Sequence, residues 1–209
     1  MASAPSLNET PRRPQQARSL LTRHKLLSST LACLAERGFA RTSTTDVCRH
    51  AGVSQGALYK HFGSKKMLFA ATVEQLFLEL VDDYRAAFEA MADSDDRVAA
   101  AVRLLWKTFT RPLLQVAFEL YVAARTDAEL REALEPVLRA HRRNIRAQAA
   151  TLFPEAAVSH PDFGTIVDLI LDAMQGAALG RMVLEDEDVL ERELRRLEAL
   201  ARRELGGGN

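Results

Sequence analysis

The 209-residue chain has only two cysteines and shows no alternation of apolar and polar residues of the kind that forms β-strands. Cys33 and Cys48 both fall within predicted helices, so they indicate no disulfide framework, and neither has a metal-ligand partner at a useful spacing. We expect both thiols to be buried packing residues. Four histidines also stand apart from any ligand spacing, namely His24, His50, His141 and His160. The sequence therefore predicts an all-α protein without a metal or another cofactor.

Long apolar runs and catalytic signatures are also missing. No uninterrupted apolar run approaches the roughly 20 residues of a membrane span, and the proline-containing N-terminus lacks the apolar core of a signal peptide. These absences predict a cytoplasmic protein with no membrane partner. There is no Ser/His/Asp elbow, no phosphate-cradling glycine loop and no close carboxylate pair in a cleft-like context. We therefore assign no catalytic residue, and an enzyme that uses a C-terminal pocket is the remote alternative.

The formal net charge is zero, but the charges are unevenly distributed along the chain. Residues 1–66 contain 11 Lys+Arg and 3 Asp+Glu, a net of +8, whereas residues 67–209 contain 17 Lys+Arg and 25 Asp+Glu, a net of −8. A basic N-terminal part on an acidic body is typical of a protein that presents one end to nucleic-acid phosphates. Charge polarity that serves solubility alone is the alternative.

Residues 38–69 predict two short helices joined by a glycine-containing turn. Ser43 and Asp46 form a Ser-x-x-Asp capping box, which starts a helix of about residues 44–51. Gly52 ends that helix, because glycine adopts positive φ without a Cβ clash. The segment therefore predicts a helix-turn-helix.

The second helix of this pair is capped by Ser54 and predicted to run to about Phe62. The two helices can pack across the turn because they share an apolar set, which consists of Val47, Ala51, Val53, Leu58 and Phe62. The side chains left outside on the second helix are Gln55, Gly56, Ala57, Tyr59, Lys60 and His61.

These outer residues suit a DNA groove. The small Gly56 and Ala57 let the N-terminal end of the helix approach a phosphate or a base edge closely. Gln55 can pair with adenine, Lys60 with a phosphate or guanine, and the Tyr59 hydroxyl with a phosphate oxygen. An ordinary αα-hairpin with a solvated face is the alternative interpretation.

Two lysines occupy an unexpected position at the start of the next helix. Ser64 is its predicted cap, and Lys65 and Lys66 lie in its first turn, where cations oppose the helix dipole at a cost of about 0.3–1 kcal/mol each. We expect this arrangement to give an isolated protein no gain. A neighbouring phosphate would reverse the sign, so both lysines are predicted DNA contacts.

From Leu26 to Phe69 the sequence resembles the DNA-binding domain of the TetR family of bacterial transcriptional repressors. The matching residues are Ala35-Glu36-Arg37-Gly38-Phe39, Thr42-Ser43, Ala51-Gly52-Val53-Ser54, Gly56, Leu58-Tyr59, His61-Phe62 and Ser64-Lys65. The resemblance implies an all-helical homodimer whose three N-terminal helices bind a palindromic operator. It also implies a larger C-terminal domain with a small-molecule pocket and the dimer interface. Family positions that touch DNA fall here on Ser43, Thr44, Gln55, Ala57, Tyr59, Lys60, His61 and Lys65.

The expected organisation is a flexible N-terminal arm, a DNA-binding domain, a ligand-binding and dimerisation domain, and a flexible tail. Their predicted bounds are residues 1–16, 17–66, 67–205 and 206–209. The basic residues at the N-terminus are suited to an adjacent minor groove, with a plain disordered tail as the alternative; they are Arg12, Arg13 and Arg18.

Helical periodicity predicts about nine helices, over residues 17–37, 44–51, 55–62, 64–92, 95–110, 112–126, 127–152, 161–184 and 186–205. Gly38 should end the first helix and let Phe39 pack back on Leu34. Pro136 should kink or interrupt the helix that begins near residue 127. The apolar face of the long fourth helix is predicted to be Val73, Phe77, Leu80, Tyr84, Phe88 and Met91.

Small residues at helical spacing predict a dimer interface near the C-terminus. Ala173, Gly176, Ala177 and Gly180 form one stripe that lets another backbone come close, and two interior glycines suggest a packing reason. The last helix has matching residues at Leu190, Leu194, Leu197 and Ala201. Together they predict a four-helix seam between two copies. A crossing within one chain is the alternative.

An effector pocket is predicted from apolar side chains with a few polar neighbours. The apolar residues are Trp106, Phe109, Phe118, Tyr121 and Met174, and the polar ones are Gln115, Glu119 and Gln175. An ordinary hydrophobic core with a solvated face is the alternative.

The predicted function is that of a dimeric repressor, which binds double-stranded operator DNA and is released by an unidentified small molecule. A transcriptional activator and an effector-independent DNA-binding protein remain alternatives.

Overall fold

Every regular element is an α-helix in residues 12–90, 96–184 and 186–205, which are the residues that this computed structural model describes. The ten helices are α1 (Arg12–Arg41), α2 (Thr44–Ala51), α3 (Gln55–Phe62), α4 (Lys65–Ala90), α5 (Arg97–Phe109), α6 (Pro112–Ala124), α7 (Ala128–Leu152), α8 (Pro154–Ser159), α9 (Phe163–Arg181) and α10 (Glu187–Leu205). The predicted all-α fold is confirmed. The predicted count of about nine omitted the short α8.

The first helix begins earlier than predicted. Residues 12–16, expected in the arm, already belong to α1, so they form neither a free arm nor a disordered tail. Pro14 is compatible with this start, because the first-turn N–H groups of a helix have no intrahelical partner to lose. The rest of the predicted arm, residues 1–11, lies outside the described residues.

Gly38 breaks the helical geometry of α1, as predicted, with φ of 74° and ψ of 172°. The next side chain, Phe39, packs on the hydrophobic core, where its ring lies 5.7 Å from the ring of Phe69 in an edge-on arrangement. The chain therefore turns sharply between the main part of α1 and α2.

The predicted interruption at Pro136 is wrong, since this residue lies inside the 25-residue helix α7. Proline removes one backbone hydrogen bond, but Leu134 and Val137 on either side of it are buried. Burial of apolar side chains stabilises each by about 1.5–3 kcal/mol, which is enough to offset the lost bond.

The long helix α4 connects the two ends of the molecule. Its 26 residues span about 39 Å at 1.5 Å per residue. Its first turns pack on α1 and α3, and most of its length lies along α7. Five predicted apolar residues of this helix, Val73, Phe77, Leu80, Tyr84 and Phe88, are buried or packed on the core. Met91 lies outside the described residues.

The remaining helices complete a second part of the fold, in which α5 packs on α9 and α10, and α6 packs on α1 and α7. We call α1–α3 the head and α5–α10 the body. Cys33 and Cys48 are free and buried, so their predicted packing role is confirmed.

Candidate nucleic-acid interface and internal cavity

The turn between α2 and α3 has the predicted caps. Ser43 Oγ accepts a hydrogen bond from the Asp46 N–H at 3.2 Å, and Asp46 Oδ2 accepts one from the Ser43 N–H at 3.2 Å. Gly52 adopts φ of 64° and ψ of 36°, the left-handed conformation that ends α2. Ser54 Oγ then accepts from the Ala57 N–H and caps α3.

Asp46 also anchors the base of this turn. Its carboxylate lies 3.0 Å from Arg37 and 3.0 Å from Arg49. The hydrogen bond from Ser43 lowers the pKa of Asp46, and both guanidinium groups act in the same direction. The one carboxylate in α2 and α3 is thus fixed as a structural cap.

The inner side of α3 packs as predicted. Leu58 and Phe62 are buried against Val47 in the core, and Ala51 and Val53 pack at its edge. Burial of this set fixes which side of α3 remains accessible.

The accessible side consists of Gln55, Gly56, Tyr59 and Lys60, which we call the reading face. Tyr59 remains 44% exposed, a large fraction for an aromatic side chain. Ala57, His61, Ser43 and Thr44, also predicted to touch DNA, are only partly exposed. The structure thus brings most of the predicted contacts to one end of the head.

Gly56 is not required by packing inside the protein. A Cβ atom at this position would meet nothing within 4 Å in the described structure, and the backbone φ is not positive. Glycine within a helix costs about 0.5–1 kcal/mol relative to alanine. The reason for glycine here therefore lies outside the chain's own packing.

Sequence reasoning missed Thr45. The Gln55 side-chain amide donates a hydrogen bond to Thr45 Oγ1 at 2.8 Å, and both residues are exposed. This bond orients the first side chain of the reading face from the neighbouring helix. The sequence shows Thr45 as a polar residue in the first turn of α2. Its pairing with Gln55, ten positions away, depends on how α2 and α3 cross.

The prediction that Lys66 gains nothing inside the protein is wrong. Its Nζ lies 2.8 Å from Asp127 and 2.7 Å from Glu129 at the start of α7. Hydrogen bonds to these two carboxylates raise the pKa of Lys66. Asp127 also caps α7 by accepting from the Leu130 N–H at 3.1 Å. Lys66 therefore connects the first turn of α4 to the body.

Lys65 also has partners within the protein. Its Nζ lies 5.2 Å from the ring centre of Phe69 and 5.8 Å from that of Phe39, distances at which a cation is attracted to an aromatic face. Burial lowers the pKa of Lys65. The position that looked unfavourable in sequence is stabilised by one ring four residues ahead on the same helix and by a second ring, Phe39, from the head.

A second connection joins the head to the body. Glu119 Oε2 on α6 accepts a hydrogen bond from the Phe39 N–H at 2.7 Å. A Cβ atom at Gly38 would lie only 3.0 Å from the same oxygen. The positive φ of Gly38 and its missing side chain thus allow α6 to contact the turn after α1.

Residues of α4, α5, α6, α7 and α9 surround a cavity of about 280 Å³. Four of the predicted pocket residues line it, namely Phe109, Phe118, Tyr121 and Gln175. A separate space of about 50 Å³ between α5, α7, α9 and α10 is apolar and much smaller. The larger cavity is the better candidate for a small molecule.

The comparison with known proteins identifies the family. The family model of the bacterial regulatory proteins of the tetR family matches residues 26–72. An HTH-type transcriptional regulator of Mycobacterium tuberculosis is 31% identical over 188 residues, which cover 90% of this chain and 96% of the relative. The chain belongs to the TetR family.

Further relatives agree with this assignment. The HTH-type transcriptional regulator CymR of Pseudomonas putida is 29% identical over 87% of this chain and 89% of its own length. The structure of a TetR-family transcriptional regulator from Pectobacterium atrosepticum matches with a TM-score of 0.66 and 26% identity, over 93% of this chain and 99% of that one. The multidrug binding protein EbrR, solved with imidazole, has the same fold, with a TM-score of 0.63 and 23% identity over 93% of this chain and 97% of its own. The protein is an HTH-type transcriptional regulator.

Four predicted pocket residues of this TetR-family protein do not line the larger cavity. They are Trp106, Gln115, Glu119 and Met174. Met174 is buried in the core, and Glu119 faces the head, as described above. Trp106 lies 6.0 Å from the Arg181 guanidinium, outside the cavity. These residues lie on helices that contribute to the cavity, but their side chains are on other faces of those helices.

The cavity also has a polar end that sequence reasoning missed. His141, Arg142 and Asp172 line it together with Gln175. His141 interrupts an apolar stripe of α7 formed by Leu134, Leu138 and Ile145, all on one helix face. A titratable residue within such an apolar stripe is a sequence signal for a polar site. From the sequence alone, His141 is weighed only as a metal ligand. Among the described residues, no group of three His, Cys, Asp or Glu side chains is arranged to hold a metal.

The predicted dimer residues divide into two groups. Ala173, Gly176 and Gly180 are exposed on α9, and a Cβ at either glycine would meet nothing within 4 Å in the described structure. The stripe is therefore not the site of a crossing within the chain. With Leu169, which is 63% exposed, these residues form what we call the outer stripe of α9.

The second group is a correction. Leu190 and Ala201 on α10 are buried within their own chain, and Leu194 and Leu197 pack on the same core. α10 has one strong apolar face, and the body needs that face to cover α5 and α9. Leu190 and Ala201 are thus covered by their own chain, whereas Leu194 and Leu197 remain partly exposed.

The exposed side of α9 requires an explanation, because the helix is unusually apolar. It is the one helix in the described residues that is long and apolar enough to cross a membrane, with a mean hydropathy of 1.2 over 18 residues, although no uninterrupted apolar run was predicted to be that long. Only 28% of that window is buried. A core helix of a regulator meets the same criterion, but here one side of the helix remains exposed, at Leu169, Ala173, Gly176 and Gly180.

Proposed function

We propose that the protein is a dimeric repressor, which binds palindromic operator DNA and is released when a small molecule enters the body. The observation that carries the proposal is the reading face, a polar and basic surface. It contains Gly56, a glycine that packing within the chain does not require. A recognition helix needs such close access at its N-terminal end to contact base edges in the major groove.

Within this proposal each side chain has a distinct role. Gln55, held by Thr45, reads a base, whereas Lys60 and the Tyr59 hydroxyl contact phosphates. The partly exposed Ser43, Thr44, Ala57 and His61 flank them. Lys65 contacts a phosphate at the edge of this surface, whereas Lys66 is assigned to the connection between head and body.

The dimer is proposed to form through the outer stripe of α9 rather than through the predicted residues of α10. Exposed apolar residues continue this surface, since Val183 is 84% and Leu184 72% exposed. Large exposed apolar surfaces mark interaction sites. The small residues at the centre let two copies of α9 approach closely, and two heads related by a two-fold axis match a palindrome.

The proposed route from cavity to head runs through α6. Phe118 and Tyr121 line the cavity, and Glu119 between them holds the Phe39 N–H of the head. A ligand that moves the aromatic side chains of α6 displaces Glu119 with them. Lys66 gives α4 a parallel connection to α7, whose residues also line the cavity.

The free-energy requirement is modest. A ligand shifts the equilibrium between two states only by its difference in affinity for them. A coupling of about 1–3 kcal/mol reduces DNA affinity about 5- to 150-fold. We further propose that residues 12–66 act as the DNA-binding domain and 67–205 as the regulatory domain of a cytoplasmic protein.

The test begins with selection of bound duplexes from randomised DNA by the purified protein. Affinity for the selected sequence is then measured over a salt series. We expect a steep salt dependence, with a slope that decreases by about one unit in Lys60→Ala. Lys66→Met is the matched control, and its slope should remain that of the wild type because Asp127 and Glu129 already neutralise this lysine.

Three outcomes would contradict parts of the proposal. Failure to bind any duplex in dilute buffer would refute DNA reading altogether. Equal binding to random and selected DNA would indicate a DNA-binding protein without an operator. Stimulated rather than reduced transcription from a promoter that contains the operator would indicate an activator.

A further inference from the structure

The polar end of the 280 Å³ cavity contains an unusual histidine. His141 stacks on Phe77, with ring centres 3.9 Å apart and ring planes inclined by 18°. Its Nδ1 is shielded from solvent and has no hydrogen-bond partner among the described protein groups. A buried nitrogen without a partner is costly. A ligand can remove that cost if it enters the cavity, displaces the groups that shield this atom and forms a hydrogen bond to it.

The charges at this end are balanced by the protein itself. Arg142 lies 2.5 Å from Asp172 and 3.4 Å from Asp168, and Arg146 forms a bidentate pair with Asp168. Two guanidinium groups thus face two carboxylates. The charged side chains that line the cavity therefore leave no unpaired charge to attract a charged ligand.

The other walls are aromatic and aliphatic. Phe77, Phe109 and Phe118 line the cavity, and Tyr84 and Tyr121 do so as well. Typical ligand pockets occupy about 300–1,000 Å³, so this cavity suits a molecule with a single ring. Aromatic walls favour an aromatic ligand through edge-on and offset contacts.

We propose that the ligand is an uncharged, one-ring aromatic alcohol or phenol, whose hydroxyl group bonds to His141 Nδ1. A hydroxyl both donates and accepts, so it satisfies this nitrogen in either tautomer of a neutral imidazole. An ether only accepts, and a carboxylate adds a charge that the cavity does not balance. The inference rests on the proposed function, because it names the effector class of the same cavity.

The exposed arginines nearby do not change this assignment. Arg125, Arg131 and Arg139 line an open groove that shares Tyr121 and Arg142 with the cavity. They lie in contact with solvent, where charges are screened. Inside the cavity the one guanidinium that a ligand would meet, that of Arg142, is already paired.

The experiment compares three matched probes by titration calorimetry: 4-propylphenol, 4-propylanisole and 4-propylbenzoate. We expect the phenol to bind the full-length protein about threefold to tenfold more tightly than the anisole, which corresponds to one net hydrogen bond. In His141→Phe that advantage should disappear, because the stack on Phe77 is kept and the nitrogen is lost. His50→Phe, an exposed histidine of the head, is the matched control and should bind all three probes like the wild type.

The outcomes are distinguishable. Equal binding of phenol and anisole by the wild type, tighter binding of the benzoate, or no binding of any probe would each overturn the ligand class, whatever the behaviour of the variants. Release of the selected operator is followed separately by fluorescence anisotropy. Binding of the phenol that depends on His141 but releases no DNA supports the ligand class and overturns the effector role. Operator release by some other compound, without phenol binding, supports the proposed function and overturns the ligand class.

Discussion

Glu119 on α6 accepts a hydrogen bond of 2.7 Å from the backbone N–H of Phe39, a residue 80 positions earlier in the chain. The bond joins the body to the sharp turn at Gly38, which positions α2 and α3. Because the nearby residues Phe118 and Tyr121 line the cavity, one short stretch of α6 touches both the cavity and the head.

Glu119→Leu should weaken the response of DNA binding to the effector, whereas Glu119→Gln should retain most of it. Leucine removes the acceptor, but the glutamine carbonyl can still accept from the Phe39 N–H. We expect the ratio of operator affinities without and with effector to fall about fivefold in the leucine variant, equivalent to about 1 kcal/mol of coupling. Anisotropy titrations measure the ratio. An unchanged ratio in Glu119→Leu would exclude this route.

Gly56→Ala should raise the stability of the protein and lower its affinity for DNA. The added methyl group meets nothing inside the described structure, so the free energy of unfolding should rise by about 0.5–1 kcal/mol. Operator affinity should fall about tenfold or more, because the methyl group occupies the space for a base edge or phosphate. Chemical denaturation and anisotropy provide the two measurements. A variant that is more stable and binds DNA normally would show that Gly56 is not at the interface.

Ala173→Arg should dissociate the proposed dimer. A long cation in the outer stripe keeps two copies of α9 apart and would be buried without a partner. Sedimentation should then give a mass near the 23.2 kDa of one chain instead of twice that value. Val158→Arg is the control, since Val158 is 91% exposed on α8 and lies outside the stripe. If both variants remain dimers, the interface lies elsewhere.

His141 should make stability depend on pH below neutrality. Burial lowers its pKa to about 4, and Arg142 acts in the same direction, whereas an exposed histidine has a pKa near 6.5. Because the unfolded chain binds this proton more readily, stability is present above pH 6.5 and is lost as the pH falls towards 4.

The expected loss from this group is about 2 kcal/mol between pH 7 and pH 4.5. Denaturant titrations at the two pH values measure it as the difference between the wild type and His141→Phe, in which the other titrating groups cancel. Equal pH dependence in both proteins would mean that His141 is not buried as a neutral ring.

Local features of the head followed from the sequence because their causes lie within a few residues. The Ser43–Asp46 capping box and the positive φ of Gly38 and Gly52 were each specified by side chains or conformational freedom at the site itself. Helical periodicity predicted which residues of α3 are buried, and the remaining residues were therefore predicted to be exposed.

Predictions that required the position of a distant residue were less successful. Glu119 was assigned to a pocket and lies against the head, while Leu190 and Ala201 were assigned to a dimer and are buried in their own chain. A helical pattern shows that a face is apolar, but it does not show which partner covers that face.

The sequence by itself determined most of the helices and the caps of α2 and α3, because hydrogen bonds and apolar spacing over four to eight residues specify them. Its motif around these two helices determined the family. Tertiary structure alone decided that Lys66 pairs with Asp127, that Glu119 reaches Phe39, and that His141 shares a cavity with Arg142 and Asp172. Such contacts depend on how helices cross, and crossing is set by the packing of the whole core.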